Sequence, residues 1–287
     1  MVHDRDYHKK LTIIIKNALE EDIQDGDHSS LSCIGEIARG RAVLKIKNEG
    51  ILAGVEVAKW IFLYVDPTSH FRVLKKDGEK MYFGESAFEV ESKVYTILTC
   101  ERLVLNCMQR MSGIATLTKQ YTDKLAGYST KLLDTRKTTP NFRLLEKEAV
   151  YIGGGVNHRF GLYDMIMLKD NHIDYCGGIN KALNKAYDYV KEFKPGMKIE
   201  IETRNIADVK KVVESGKADR IMLDNFTPEK IKEALIIING QFITEASGGI
   251  TLENIESYAA TGVDFISSGA IIHQAKSLDL SLKAQLK

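Results

Sequence analysis

The chain has 287 residues, 44% of them hydrophobic, and its 40 Lys and Arg nearly cancel its 39 Asp and Glu. That length can bury the core of one large domain and a smaller companion. The balanced charge excludes a protein that coats nucleic acid or a membrane by bulk electrostatics, so any anion site has to be local.

The N-terminal MVHDRDYHKKLTIIIKNALEED is too charged and its apolar run too short for a secretory signal or a membrane span. LTIIIKNALEEDI reads as an amphipathic helix ended by the turn QDGDHSS. RAVLKIKNEG, HFRVLKK and SAFEVESKVY have strand composition, and the last alternates Phe88, Val90 and Val94 with polar neighbours, which predicts one small sheet. ILTCERLVLNCMQRMSGIATLTKQYTDKL has apolar residues at helical spacing, and Ser112–Gly113 is expected to break it into two helices at a domain boundary. The expected domains are 1–112, joined by a C-terminal strand over 276–287, and 113–275. Cys33, Cys100, Cys107 and Cys176 form no close pair and have no His at ligand spacing. Reduced thiols in a cytoplasmic protein are expected, with neither a disulfide framework nor a zinc site.

From residue 131 the pattern changes. Short apolar runs, KLLDT, DMIMLK, KIEIET, RIMLDN, FITEAS and DFISSG, alternate with amphipathic helical segments, as in a parallel sheet of βα units. Glu202, Asp224, Ala246 and Ser268 follow one another at intervals of 22 residues, a repeat that fits a barrel wall. Six strands are fewer than the usual eight, so either a strand around Tyr151–Gly155 fills the gap or the barrel is open. SLDLSLKAQLK alternates again and is expected to pair with the N-terminal sheet.

In such barrels the active face is built from loops after the strand C-termini. Thr135, Arg136 and Lys137 follow the first run, Lys169 ends the second, Glu202 the third and Asp224 the fourth. One strand-end lysine is ordinarily a solvated side chain. Polar groups on successive strand ends instead point to a ligand site. Arg136, Lys137, Arg159 and Lys169 suit carboxylates and phosphates. ASGGITLEN and SSGAI, with Ser247, Gly248, Gly249, Ser268, Gly269 and Ala270, offer backbone N–H groups for a phosphate, although either motif alone also serves a tight turn. Glu200 and Glu202 point to one barrel face, where buried acids need partners. Two readings stand: internal pairing with Lys169 or Arg159, or Mg²⁺ held on a polyphosphate. Gly153–Gly155 are expected to let the backbone bend so that His158 and Arg159 reach inward.

DTRKTTP, GGGVNHRFGLYD, LKDNH, IEIE, LDNF and EASGGI, in this order and spacing, resemble the quinolinate phosphoribosyltransferases, as do LEEDIQDGD, EGILAG and ERLVLNCMQRMSGIAT. The resemblance spans nearly the whole chain. It implies an α/β fold: an N-terminal α/β sandwich plus an irregular parallel β/α barrel of fewer than eight strands. It also implies a homodimer and, as substrates, quinolinate and phosphoribosyl pyrophosphate. On this resemblance Arg102 reaches into the neighbouring subunit's site. Arg136, His158, Arg159 and Lys169 surround quinolinate, and Lys137 and Lys169 face pyrophosphate. Glu202 and Asp224 organise Mg²⁺ and the ribose. Ser247, Gly248, Gly249, Ser268, Gly269 and Ala270 hold the 5′-phosphate, and Thr135 is expected among the substrate-binding residues. Asn141, Phe142, Glu148 and Cys107 depart from the family pattern and bear on packing. Rival readings are a relative linked to molybdate transport, a nicotinate-specific enzyme, a Schiff-base aldolase using Lys169 and a silent phosphate-binding module.

Overall fold

The computed structural model describes residues 6–285; residues 1–5 of the expected first domain and 286–287 of the expected final strand lie outside them. In chain order the first elements are α1 (Tyr7–Ile23), α2 (His28–Cys33), β1 (Arg39–Ile46), β2 (Gly50–Ile51), α3 (Val55–Val65), β3 (His70–Val73), β4 (Lys80–Met81), β5 (Ser86–Lys93) and α4 (Val94–Lys124). Then come β6 (Lys131–Leu133), α5 (Arg143–Ile152), β7 (Ile166–Leu168), α6 (Asp170–Cys176), α7 (Ile179–Phe193), β8 (Ile199–Thr203) and α8 (Ile206–Ser215). The last are β9 (Arg220–Asp224), α9 (Pro228–Ile238), β10 (Ile243–Ser247), α10 (Ile255–Ala259), β11 (Phe265–Ser267), α11 (Ala270–His273) and β12 (Leu280–Gln285).

The chain forms two compact units. The first comprises the chain up to Lys119, Thr138–Gly154 and the chain from Ile271; the second comprises Gln120–Lys137 and Gly155–Ala270.

In the first unit β12-β1-β5-β3 form an antiparallel sheet, and β2 pairs with β4. The C-terminal alternation joins β1 as expected, with Leu44 opposite both Leu282 and Phe88. Phe88 stacks on Phe71 at 4.4 Å between ring centroids, and its edge meets Phe62 from α3. These rings form the sheet side of the core. Asp77 caps α3, its carboxylate accepting the backbone N–H groups of Val55 (2.8 Å) and Glu56 (3.3 Å), donors that the first helical turn leaves unpaired.

The expected break at Ser112–Gly113 does not occur, because α4 runs unbroken through both residues. Their small size serves packing instead. The Ser112 hydroxyl accepts the Ala53 N–H and donates to the Ala53 carbonyl. A Cβ on Gly113 would lie 2.0 Å from the carbonyl oxygen of Lys276. Small residues in a helix can therefore mark a close approach of backbone as well as a boundary.

In the second unit six parallel strands run in the order β6-β11-β10-β9-β8-β7, the six apolar runs read from the sequence. No strand occupies 151–155: Tyr151 and Ile152 end α5, and Val156 makes a single parallel bridge to Leu133. The sheet is open between its end strands β6 and β7. Outward residues such as Ile201, Ile221, Leu223 and Ala246 are fully buried, whereas the opposite face carries charge. Strand register sets Glu200 beside Arg220, Glu202 beside Met222, and Ser247 beside Asp224. The period-two pleat thus delivers Glu200 and Glu202, or Arg220 and Asp224, to one face at successive levels.

Candidate active site

The upper level lies at the strand C-termini. Lys169, just after β7, places Nζ 2.6 Å from Oε1 of Glu202 at the end of β8, and Glu202 Oε2 accepts the Asp170 N–H at 3.3 Å. Glu202 is 7% exposed. The internal pairing of this acid with Lys169 is therefore realised. On the next strand Asp224 accepts a hydrogen bond from Asn225 at 2.7 Å. Burial, and then the charge of Glu202, push the Asp224 carboxyl above its usual range, against the pull of Lys169.

Facing them are cations. Arg159 is 7% exposed, and its Nη1 donates to the Met165 carbonyl at 3.1 Å. Burial and then the charge of Arg136 lower its pKa, a mark of two guanidinium groups close together. An anion between them would relieve the repulsion. The segment is anchored by Asp134 at the end of β6, which accepts the His158 N–H (2.8 Å) and the Asn157 side-chain amide (2.7 Å). Asp164 closes the following turn by accepting the Phe160 and Gly161 N–H groups at 2.6 and 2.9 Å. Thr135 accepts the Lys137 N–H at 3.0 Å, and the Lys137 residue is exposed.

His158 reaches inward, as the glycine-rich segment suggested, but its ring turns to a level below the rim. Nε2 lies 3.0 Å from Glu200 and 3.3 Å from Glu245, both completely buried. These three groups have ligand atoms within 4.8 Å of one another, a metal-like spacing. Arg220 already supplies the cation, with Nη1 2.9 Å from Glu245 and 3.7 Å from Glu200 and its guanidinium over the Phe265 ring. Nδ1 of His158 accepts the Arg159 N–H at 2.6 Å, a bond that charging the ring would sacrifice. Burial also opposes charge, but hydrogen bonds and charge from Glu200 and Glu245 raise the His158 pKa to about 9. Burial and the neighbouring Glu245 push Glu200 up. For Glu245 burial acts the same way but is overcome by His158 and Arg220, which draw it down. Glu200 is thus the acid that holds a proton more readily.

The serine and glycine loops also meet. Ser268 donates its N–H to the Leu133 carbonyl (3.1 Å) and its hydroxyl to the Ile250 carbonyl (3.4 Å). Gly248 has φ +94°, and a Cβ there would lie 2.2 Å from Oδ1 of Asn225. Only glycine lets the chain turn past the Asp224–Asn225 pair. Gly249 also has positive φ, and α10 begins only at Ile255, so this loop offers backbone amides rather than a helix end.

A family model for the quinolinate phosphoribosyl transferase C-terminal domain matches residues 114–283, and the model for the N-terminal domain matches 27–112. The chain belongs to the quinolinate phosphoribosyltransferase family. A quinolinate phosphoribosyltransferase [decarboxylating] of Nicotiana glauca is 45% identical over 94% of this chain and 81% of its own length. A probable nicotinate-nucleotide pyrophosphorylase [carboxylating] of Bacillus subtilis is 41% identical over 97% and 95%. The crystal structure of NadC from Streptococcus pyogenes superposes with a TM-score of 0.89 at 39% identity, covering 96% of both chains. A human nicotinic acid phosphoribosyltransferase matches at a TM-score of 0.58 and 12% identity, which shows a shared fold alone.

Within this member of the family, the second unit brings together Arg136, Arg159, Lys169, Glu202 and Asp224, with the Ser247–Gly249 and Ser268–Ala270 loops on the same strand ends. Arg102 lies on α4 of the first unit and is exposed. Sequence reasoning missed Arg220 and Glu245. The signal was available: each stands an even number of residues before a rim residue on its strand, at the same parity as Asp224 and Ser247. No helix among the described residues is long and apolar enough to cross a membrane.

Proposed function

We propose that this chain transfers the 5-phosphoribosyl group of phosphoribosyl pyrophosphate to quinolinate, giving nicotinate mononucleotide, pyrophosphate and carbon dioxide, the decarboxylating step of NAD synthesis. The observation that carries this reading is the rim itself: two crowded guanidinium groups, Arg136 and Arg159, and two acids, Glu202 and Asp224, on the strand ends of one barrel. A dicarboxylate answers the first pair; a sugar that develops positive charge answers the second.

Arg136 and Arg159 grip the quinolinate carboxylates, and Lys137 and Lys169 face the diphosphate. His158 turns its ring to the barrel interior, where Glu200 and Glu245 hold it. The pyridine nitrogen attacks C1 of the ribose, the C1–O bond breaks, and pyrophosphate leaves with the electron pair. Positive charge on the sugar is stabilised by Glu202 and Asp224. The alkylated nitrogen then carries the positive charge that accepts the electrons left at C2 as carbon dioxide departs. A proton from solvent replaces the lost carboxylate. The Ser247–Gly249 and Ser268–Ala270 loops hold the 5′-phosphate through backbone N–H groups.

Glu202 and Asp224, neighbouring acids at adjacent strand ends, fit a divalent cation; burial and then the Glu202 charge hold the Asp224 carboxyl above its usual range. When bound, Mg²⁺ supplies positive charge to the pyrophosphate oxygens. The same reading makes the protein a cytoplasmic homodimer in which the exposed Arg102 serves the neighbouring subunit's site. The four free cysteines are in keeping with a reducing compartment.

The test uses purified protein with quinolinate labelled in its 2-carboxyl group. Labelled carbon dioxide and nicotinate mononucleotide should appear together, only with phosphoribosyl pyrophosphate and Mg²⁺ present. Turnover of nicotinate in place of quinolinate would overturn the assignment.

A further inference from the structure

Arg110 of α4 makes four hydrogen bonds inside the first unit. Nε and Nη2 donate to Oε1 of Glu146 at 2.9 and 2.8 Å, Nη1 donates to the Ala275 carbonyl at 2.8 Å, and Nη2 to the Ile272 carbonyl at 2.9 Å. Glu146, on α5, is completely buried. It also accepts the Thr139 N–H (2.8 Å) and the Thr139 hydroxyl (2.9 Å). A buried carboxylate with this many donors is held in one geometry, as is the guanidinium it faces. The neighbouring face of α4 is shaped for the same chain segment. Gln109 donates to the Leu280 carbonyl, its own carbonyl accepts the Leu278 N–H, and Gly113 leaves room for Lys276.

The residues tethered in this way stand at two particular places in the sequence. Thr139 follows Lys137 by two positions, and Ile272 follows Ala270 by two. These are the points where the chain leaves the Thr135–Lys137 loop and the Ser268–Ala270 loop. Arg143, also on α5, adds a hydrogen bond to the Thr138 hydroxyl at 2.9 Å.

We infer that Arg110, through Glu146 and Thr139 on one side and the Ile272 and Ala275 carbonyls on the other, is a positioning residue that sets both the dicarboxylate-binding and the phosphate-binding loops for phosphoribosyl transfer. The inference rests on the proposed reaction for the identity of the two ligands. One guanidinium is tied to residues just beyond both loops, so loosening it is expected to affect both substrates at once. Loosening Thr139 alone disturbs the Thr135–Lys137 loop and leaves the 5′-phosphate loop in place.

Steady-state kinetics on Arg110→Lys and Thr139→Val, with thermal unfolding of each, test this. Arg110→Lys keeps the charge but loses the planar fork, and both KM values should rise about tenfold or more, since small displacements of binding groups are costly. Thr139→Val removes only the hydroxyl bond, and the KM of quinolinate should rise by a larger factor than that of phosphoribosyl pyrophosphate, whose 5′-phosphate loop stays tethered. A purely structural role predicts a lower unfolding temperature and less active protein with both KM values within about twofold of the parent, and that result overturns the inference. If Arg110→Lys does not fold, an unchanged quinolinate KM in Thr139→Val is enough to reject it. A parent protein without quinolinate turnover would instead sink the assigned reaction.

Discussion

Lys169 Nζ lies 2.6 Å from Glu202 Oε1, joining the ends of two adjacent parallel strands by an ion pair with one partner almost fully buried. The Lys169 ammonium and the Asp170 N–H fix the orientation of the acid. Glu202→Gln retains the shape and removes the charge that opposes the cationic sugar. The expected result is a fall in kcat on the order of 10²- to 10³-fold, the loss typical when one preorganised electrostatic group is removed. Quinolinate KM should change little. Steady-state kinetics with both substrates varied would show it, and an unchanged kcat would remove Glu202 from the chemistry.

Arg136 and Arg159 should separate from Glu202 in the same assay. Each is proposed to bind a quinolinate carboxylate, and a charged hydrogen bond contributes about 1.5–3 kcal/mol. Arg136→Ala and Arg159→Ala should each raise the KM of quinolinate by about 10- to 100-fold, with a smaller effect on kcat. A double variant that binds quinolinate as tightly as the parent, measured by titration calorimetry, would refute the carboxylate-binding role.

Glu148 makes the stability of the first unit depend on pH. It is buried and accepts a hydrogen bond from the Tyr7 hydroxyl. Burial raises its pKa from 4.5 to about 7, the Tyr7 bond works against that, and the charges of Asp77 and Glu56 add to it. The folded state therefore binds the proton more tightly than the unfolded state. Its contribution is greatest below the unfolded pKa and is lost as pH rises through the window from 4.5 to about 7, by roughly 3 kcal/mol at 1.36 kcal/mol per pH unit. Denaturant unfolding of the parent and Glu148→Gln across that window should show a stability difference that shifts in favour of the variant as pH rises. A difference independent of pH would contradict the assignment.

Gly113 offers a test of packing apart from chemistry. A Cβ there would meet the Lys276 carbonyl oxygen at 2.0 Å, a backbone atom that cannot swing aside as a side chain does. Gly113→Ala should destabilise the protein by about 1–3 kcal/mol despite the better helix propensity of alanine. Thermal unfolding of the two proteins decides the sign. A more stable variant would show that the 276–278 segment yields easily.

The six barrel strands, the residues at their tips and the return of the C-terminal segment to the first sheet were all legible in the sequence. Period-two patterning and strand-end chemistry are local properties, and a parallel barrel gathers strand ends on one face. The helix across Ser112–Gly113 was not legible, because small residues weaken a helix locally and only contacts with distant Ala53 and Lys276 show why they are there. Nor was the direction of the His158 ring, or the buried group of Glu200, Arg220 and Glu245 that receives it. The order of residues in this chain determined which side chains share a strand face and which loops bear charge. Which acid meets which base depended on strand register and on barrel curvature, since partners 20 or more residues apart are chosen by three-dimensional closure and not by any local preference.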